Sequence, residues 1–187
     1  MTCIIGIEHP GGVLIGGDSA ASAEQSIIVR TDAKVFATGP YAIGFTDSYR
    51  MGQLLRYKLN PPLPTAEDLD DLDRFMATSF VDAVRHVLME GGYAKISENR
   101  EEGGDFLVGI AGRLYAIEGD FQMGRNAAGY EALGSGRDLA LGSLHTSAEF
   151  DLTPKDRAQY ALSAASEFNT GVSPPFVIFN APAELDV

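Results

Sequence analysis

One cysteine, Cys3, stands in a chain of 187 residues, so no internal disulfide framework can form. The three histidines, His9, His86 and His145, have no metal-ligand spacing and no cysteine partners, which argues against a zinc site. Basic residues are scarce: 14 Lys and Arg stand against 26 Asp and Glu, a net charge of −12. Nucleic-acid binding wants basic surface to replace counterions, so that class is disfavoured. No apolar run approaches the ~18 residues of a membrane span. No basic segment followed by a long apolar one marks a signal peptide at the N-terminus. The expectation is a soluble protein of a reducing, cytoplasmic compartment, with no cofactor and no metal.

What is present is an ordinary globular composition, 45% apolar and 21% charged. The length fits one domain with a sizeable core, spanning 1–187. No repeat, linker or low-complexity segment divides it. Glu67, Asp68, Asp70, Asp71 and Asp73 concentrate part of the negative charge. A docking patch is one reading; acids favoured by the dipole at a helix N-terminus are the simpler one.

The first 46 residues read as strands and tight turns. Thr2 to Glu8 and Val13 to Asp18 form a hairpin about His9-Pro10-Gly11-Gly12. Strands over 26–30, 34–38 and 41–46 follow. A helix is expected over 48–59, with Met51, Leu54, Leu55 and Leu59 on one face, stopped by Asn60-Pro61-Pro62-Leu63-Pro64. A longer helix begins at the N-cap Thr65, with Asp68 three residues on, and ends at Gly91-Gly92. The polar stretch 93–104 reads as an exposed loop. A hairpin about Gly112 and two short strands lead to Gly134-Ser135-Gly136. Helices over 137–144 and from Thr153-Pro154 onward, then a strand over 175–180, complete the chain. Blocks of strands and helices fit antiparallel sheets covered by helices. Periodicity by itself does not separate this from other α+β arrangements.

The chain opens Met1-Thr2-Cys3. Removal of Met1 leaves Thr2 with a free α-amine of reference pKa about 7.7–8.0. That amine can take the proton of its own residue's hydroxyl, so nucleophile and base come from one residue. A threonine after an initiator Met is common, and carries weight only with its context.

The context is Gly16-Gly17-Asp18-Ser19, Arg30-Thr31-Asp32-Ala33-Lys34, Gly134-Ser135-Gly136 and Glu167-Phe168-Asn169-Thr170-Gly171. In order and spacing from Thr2, these motifs resemble the proteasome β-type family of N-terminal nucleophile hydrolases, over nearly the whole chain. The match to Asp18 and Lys34 needs no gap. The resemblance implies an α+β fold, a four-layer αββα sandwich of two antiparallel sheets. It also implies a catalytic set of Thr2, Asp18, Lys34, Ser135, Glu167 and Thr170. Lys34 would supply a positive field at the threonine hydroxyl, with Asp18 positioning it. Ser135, between two glycines, would reach the threonine amine; its plainer role is a helix cap. Glu167 and Thr170, at the end of the fourth helix with Gly171 as its cap, stand where the family has Asp and Ser.

A second departure concerns the oxyanion. The family usually places a glycine at the start of the first helix, whose N–H binds the oxyanion. Here the position falls on Asp47 or Ser48. A helix N-terminal N–H still donates, but a carboxylate aimed inward would repel an oxyanion. Cys3 as nucleophile would require loss of both Met1 and Thr2 and would shift the spacing to Lys34; it reads more simply as a buried strand residue.

The expected function is a threonine-type endopeptidase, a proteasome-like subunit acting on peptide or unfolded protein. The resemblance implies a homo-oligomeric ring and allows an ATP-dependent unfoldase partner, which nothing in the sequence identifies. A non-catalytic ring subunit and a small-molecule amidase of the same superfamily are the alternatives.

Overall fold

The computed structural model describes residues 1–23, 26–97 and 100–185. The strands in chain order are β1 (Ile4–His9), β2 (Gly12–Gly17), β3 (Ala20–Ala23), β4 (Ser26–Val29), β5 (Val35–Thr38) and β6 (Tyr41–Phe45). The helices α1 (Tyr49–Tyr57), α2 (Ala66–Asp70), α3 (Leu72–Phe75) and α4 (Val81–Glu90) follow, with a π-helical turn, Met76–Phe80, between the last two. Next come β7 (Lys95–Ser97), β8 (Arg100–Glu102), β9 (Phe106–Ile110), β10 (Arg113–Ile117), β11 (Met123–Gly124) and β12 (Tyr130–Leu133). The chain finishes with α5 (Arg137–Ser147), α6 (Pro154–Phe168) and β13 (Val177–Pro182).

Two antiparallel sheets carry the fold. One has the order β12-β1-β2-β13 and the other β11-β10-β9-β6-β5. The period of two in the first hairpin assigns its side chains to two layers. Ile4, Val13 and Ile15 point between the sheets, where they meet Val35, Ala42, Leu107 and Leu114. Cys3, Ile5, Ile7 and Leu14 point the other way, onto α5 and α6. The far face of the second sheet, with Tyr41, Ile43, Phe106 and Tyr115, packs on α1, α3, α4 and the π-helical turn. The result is the expected αββα sandwich. The sheets approach closely at Gly6, where a Cβ would lie 2.5 Å from Leu114 Cδ1.

Both threonine caps form as expected. Thr65 and Asp68 make a reciprocal capping box, and the Thr153 side chain accepts from the Asp156 N–H with Pro154 opening α6. Three expectations are corrected. The long helix after Thr65 is interrupted: Asp71 leaves helical geometry and its side chain recaps the next turn by accepting from Arg74 N–H. The stretch read as an exposed loop contains the β7–β8 pair, held to α4 by Arg85 on Glu101 at 2.8 Å; residues 98 and 99 lie outside the described residues. Gly171 does not cap α6; Asn169 does, with extended backbone.

Candidate active site

Thr2 precedes β1 in the middle of the first sheet, and its neighbours follow from strand pairing. Ile4 pairs with Gly17 of β2 and with Leu133 of β12. The residues just past those partners, Asp18 and Ser135, are therefore carried to either side of Thr2. Lys34 enters at the head of β5; its carbonyl accepts from Phe45 N–H at 3.0 Å at the end of β6. One cluster thus gathers residues from both sheets at a common end.

Thr2, Asp18 and Lys34 are all buried, with 6%, 1% and 2% exposure. Lys34 Nζ donates to Asp18 Oδ1 at 2.8 Å. The same oxygen accepts from Cys3 N–H at 3.0 Å. The ammonium therefore lies beside the peptide that follows Thr2. Asp18 Oδ2 accepts from Ala20 N–H at 2.9 Å and from Ser173 N–H at 3.3 Å. Four donors converge on one carboxylate. Burial lowers the Lys34 pKa, and the opposing charge of Asp18 counteracts part of that. A lysine so placed is a fixed, desolvated ammonium beside the Thr2–Cys3 peptide.

On the other side, Thr2 N–H donates to Ser135 Oγ at 3.1 Å. Ser135 does not cap α5: the N-cap there is Gly136, with no side-chain cap hydrogen bond. Its hydroxyl faces Thr2 instead. The turn is fixed by Gly136 N–H donating to Thr2 C=O at 3.1 Å, and at Gly134, of positive φ, a Cβ would lie 2.4 Å from that same oxygen. Thr2 Oγ1 donates to Met1 C=O at 2.6 Å, and the Met1 side chain packs over Gly171.

Glu167 and Thr170 are not brought to this cluster. Both are exposed, and neither hydrogen-bonds to Thr2 or Ser135 among the described residues. Asn169, between them, takes that place. Its Nδ2 donates to Ser135 C=O at 2.7 Å, and its Oδ1 accepts from Gly171 N–H at 2.9 Å. The Ser135 hydroxyl lies 3.4 Å from the same Oδ1. The sequence held only a weak signal for this residue, its position inside a segment already singled out. The extended backbone at the end of α6 is what turns Asn169 toward Ser135.

The segment before α1 also departs from expectation in detail. Asp47 has φ 56°, a left-handed conformation that Gly adopts freely and Asp tolerates. Its Oδ2 accepts from Asp105 N–H at 2.9 Å, so the carboxylate is already engaged. Ser48 N–H donates to Thr46 C=O at 2.7 Å, which leaves Asp47 N–H as the donor of the pair without a partner among the described residues. Cys3 is fully buried, and burial followed by the Asp18 charge pushes its thiol up to about 12. It is held as a neutral thiol, unsuited to attack. Among the described residues, no group of His, Cys, Asp and Glu is placed to hold a metal, and no helix is long and apolar enough to cross a membrane.

The αββα sandwich of two antiparallel sheets is the fold of the proteasome-type N-terminal nucleophile hydrolases. Solved structures agree. The chain superposes on BPH of Thiobacillus denitrificans, solved in complex with Epoxomicin, with a TM-score of 0.77 over 98% of this chain and 100% of that one, at 16% identity. It is similar to HslV of Trypanosoma brucei (TM-score 0.68, 18% identity, 95% and 97% covered). It is also similar to a Gly-1 mutant of Anbu from Hyphomicrobium sp. strain MC1 (0.67, 15%, 97% and 82%). No family model matches the sequence, and no curated protein is similar to it in sequence. At these identities the shared property is the fold.

Proposed function

We propose that this chain is a proteasome-like threonine peptidase subunit, a single domain over 1–187 that cleaves peptide bonds with Thr2 after loss of Met1. The observation that carries the reading is the pair of contacts flanking Thr2. On one side Asp18 joins the Lys34 ammonium to the Cys3 N–H; on the other the Thr2 nitrogen meets Ser135 Oγ. Loss of Met1 frees both Thr2 groups that it now engages, the nitrogen in the peptide bond and Oγ1 in its hydrogen bond to Met1 C=O.

The steps follow from this chain's own groups. The free amine takes the Thr2 hydroxyl proton, directly or through a water, while Oγ1 attacks the substrate carbonyl. Lys34 favours the deprotonated hydroxyl, and Ser135 accepts from the amine and orients it. The tetrahedral oxyanion is met by Asp47 N–H before α1. Collapse expels the leaving amine, which takes the proton from the threonine ammonium, and leaves an ester on Oγ1. Water, deprotonated by the same amine, hydrolyses the ester and restores the free hydroxyl.

One feature favours a second reading, a ring subunit that does not catalyse: Asp47 stands in the oxyanion segment. One experiment separates the readings: treatment with a peptide epoxyketone, followed by peptide mass mapping. The adduct is expected on Thr2 of a chain lacking Met1. Recovery of unmodified, Met1-bearing protein from its own cells supports the scaffold subunit. The peptidase is expected in a cytoplasmic, homo-oligomeric ring that sequesters its sites, with an ATP-dependent unfoldase as a compatible partner.

A further inference from the structure

Asn169 belongs to none of the residues expected to act, yet it is the side chain that fixes Ser135. Two of its contacts meet Ser135, Nδ2 on the C=O at 2.7 Å and Oδ1 3.4 Å from the hydroxyl, and a third holds the amide in place, Oδ1 on Gly171 N–H at 2.9 Å. The amide thereby ties the turn before α5 to the turn after α6. Its orientation is determined, because one end meets a carbonyl and the other an N–H. The Ser135 hydroxyl in turn accepts from the Thr2 nitrogen at 3.1 Å. Asn169 Oδ1 is thus two hydrogen bonds from the atom that becomes the catalytic base.

The charge around that atom is informative. From the β2 end comes Asp18 and from the β5 end Lys34, paired with each other at 2.8 Å and together near neutral. From β1 comes Cys3, a neutral thiol. From α5, Arg137 is exposed and engaged by Glu131 at 3.3 Å and Asp138 at 3.6 Å. From α6, Glu167 is exposed, and from the segment before α1 the Asp47 carboxylate is held on Asp105 N–H. The position nearest Ser135 is filled by an amide, which has the hydrogen-bonding shape of a carboxylate without its charge.

We propose that Asn169 is a positioning residue that holds Ser135 on the Thr2 nitrogen while adding no charge beside it, so that the α-amine released by loss of Met1 is not pushed further toward its ammonium form. A carboxylate at this position would favour the ammonium form and raise the amine pKa above its reference of about 7.7–8.0. An amide leaves that pKa low, which keeps a larger fraction of the enzyme in the form that accepts the threonine proton. This inference rests on the reading of Thr2 as an N-terminal nucleophile.

The test uses Asn169→Asp and Asn169→Ala in chains beginning at Thr2, with ring size and melting temperature as controls. For Asn169→Asp, the acidic limb of kcat/KM against pH is expected to move upward by roughly half a unit or more, from one added negative charge at a partly exposed site. For Asn169→Ala the limb should stay in place while kcat falls by ~10-fold or more, with KM little changed, because the lost restraint acts on the base. The amine is also titrated directly, by its rate of acylation against pH, read by mass spectrometry. That readout needs no peptidase activity. An amine pKa raised in Asn169→Asp supports the inference even where no peptide is cleaved, in which case it is the peptidase reading that fails. Unchanged amine titration in Asn169→Asp, or wild-type kcat in a correctly assembled Asn169→Ala, overturns it.

Discussion

The Lys34 ammonium lies 2.8 Å from Oδ1 of Asp18, and both side chains are closed to solvent. Removing one member of a buried ion pair strands the other, whereas an exposed pair is worth little. Lys34→Ala is therefore expected to lower kcat by ~100-fold or more, with a much smaller change in KM, because the lost field acts on the transition state. Lys34→Arg should not restore the rate, since a planar fork does not replace a compact ammonium at one point. Steady-state kinetics on folded, assembled protein, assayed well below the variant's own melting temperature, decide it; a wild-type rate in Lys34→Ala overturns the role.

Asp18 carries a heavier structural duty than a partner for Lys34 alone. Its carboxylate also accepts from the N–H groups of Cys3, Ala20 and Ser173. Asp18→Ala leaves a buried cation and three donors unmet, so a loss of about 3–5 kcal/mol in unfolding free energy is expected. Asp18→Asn should lie between, because its carbonyl keeps some of the donors while its amide faces others. Urea denaturation followed by fluorescence or circular dichroism measures both.

Thr2→Ala should abolish hydrolysis and leave assembly intact. The side chain is small, and among the described residues its one side-chain hydrogen bond is to the Met1 carbonyl, which the active chain lacks. Mature protein should be lighter than the translated chain by one methionine residue, read by intact mass. Undiminished cleavage by Thr2→Ala refutes the nucleophile assignment.

Cys3 offers a pH test that does not involve catalysis. Its thiol is held up near 12 in the folded chain against 9.0 when free. Between these values the unfolded chain has lost the proton and the folded chain keeps it. The folded state then binds more protons, so stability falls as pH rises from about 9 toward 12. Cys3→Ala should lose this part of the alkaline slope, and native wild type should resist iodoacetamide until it unfolds. Rapid alkylation of the folded chain at pH 8 contradicts the burial argument.

Once Met1 is lost, a free monomer would present the Thr2 amine and hydroxyl to any protein that reaches them, so a closed assembly is expected. Light scattering at micromolar concentration should give a particle of roughly six or more subunits related by closed symmetry. A clean monomer removes the sequestering chamber and favours the small-molecule amidase.

The sequence by itself determined the first hairpin, whose alternation of Ile4, Ile5, Ile7, Val13, Leu14 and Ile15 assigns each residue to one face of a sheet. It also determined the caps at Thr65 and Thr153, because a capping hydroxyl acts within three residues of its own position. The spacing from Thr2 to Asp18 and Lys34 was legible through resemblance, since those residues sit at strand ends whose lengths set the register. Tertiary structure alone decided the rest. It broke the helix after Thr65 at Asp71, paired β7 with β8, and left Glu167 and Thr170 at the surface. It brought Asn169 to Ser135 across 34 positions of sequence, and Ser135 to Thr2 across 133. No local periodicity encodes such contacts. They depend on how the end of α6 and the turn before α5 are laid beside the start of β1, and that is fixed only when the core closes.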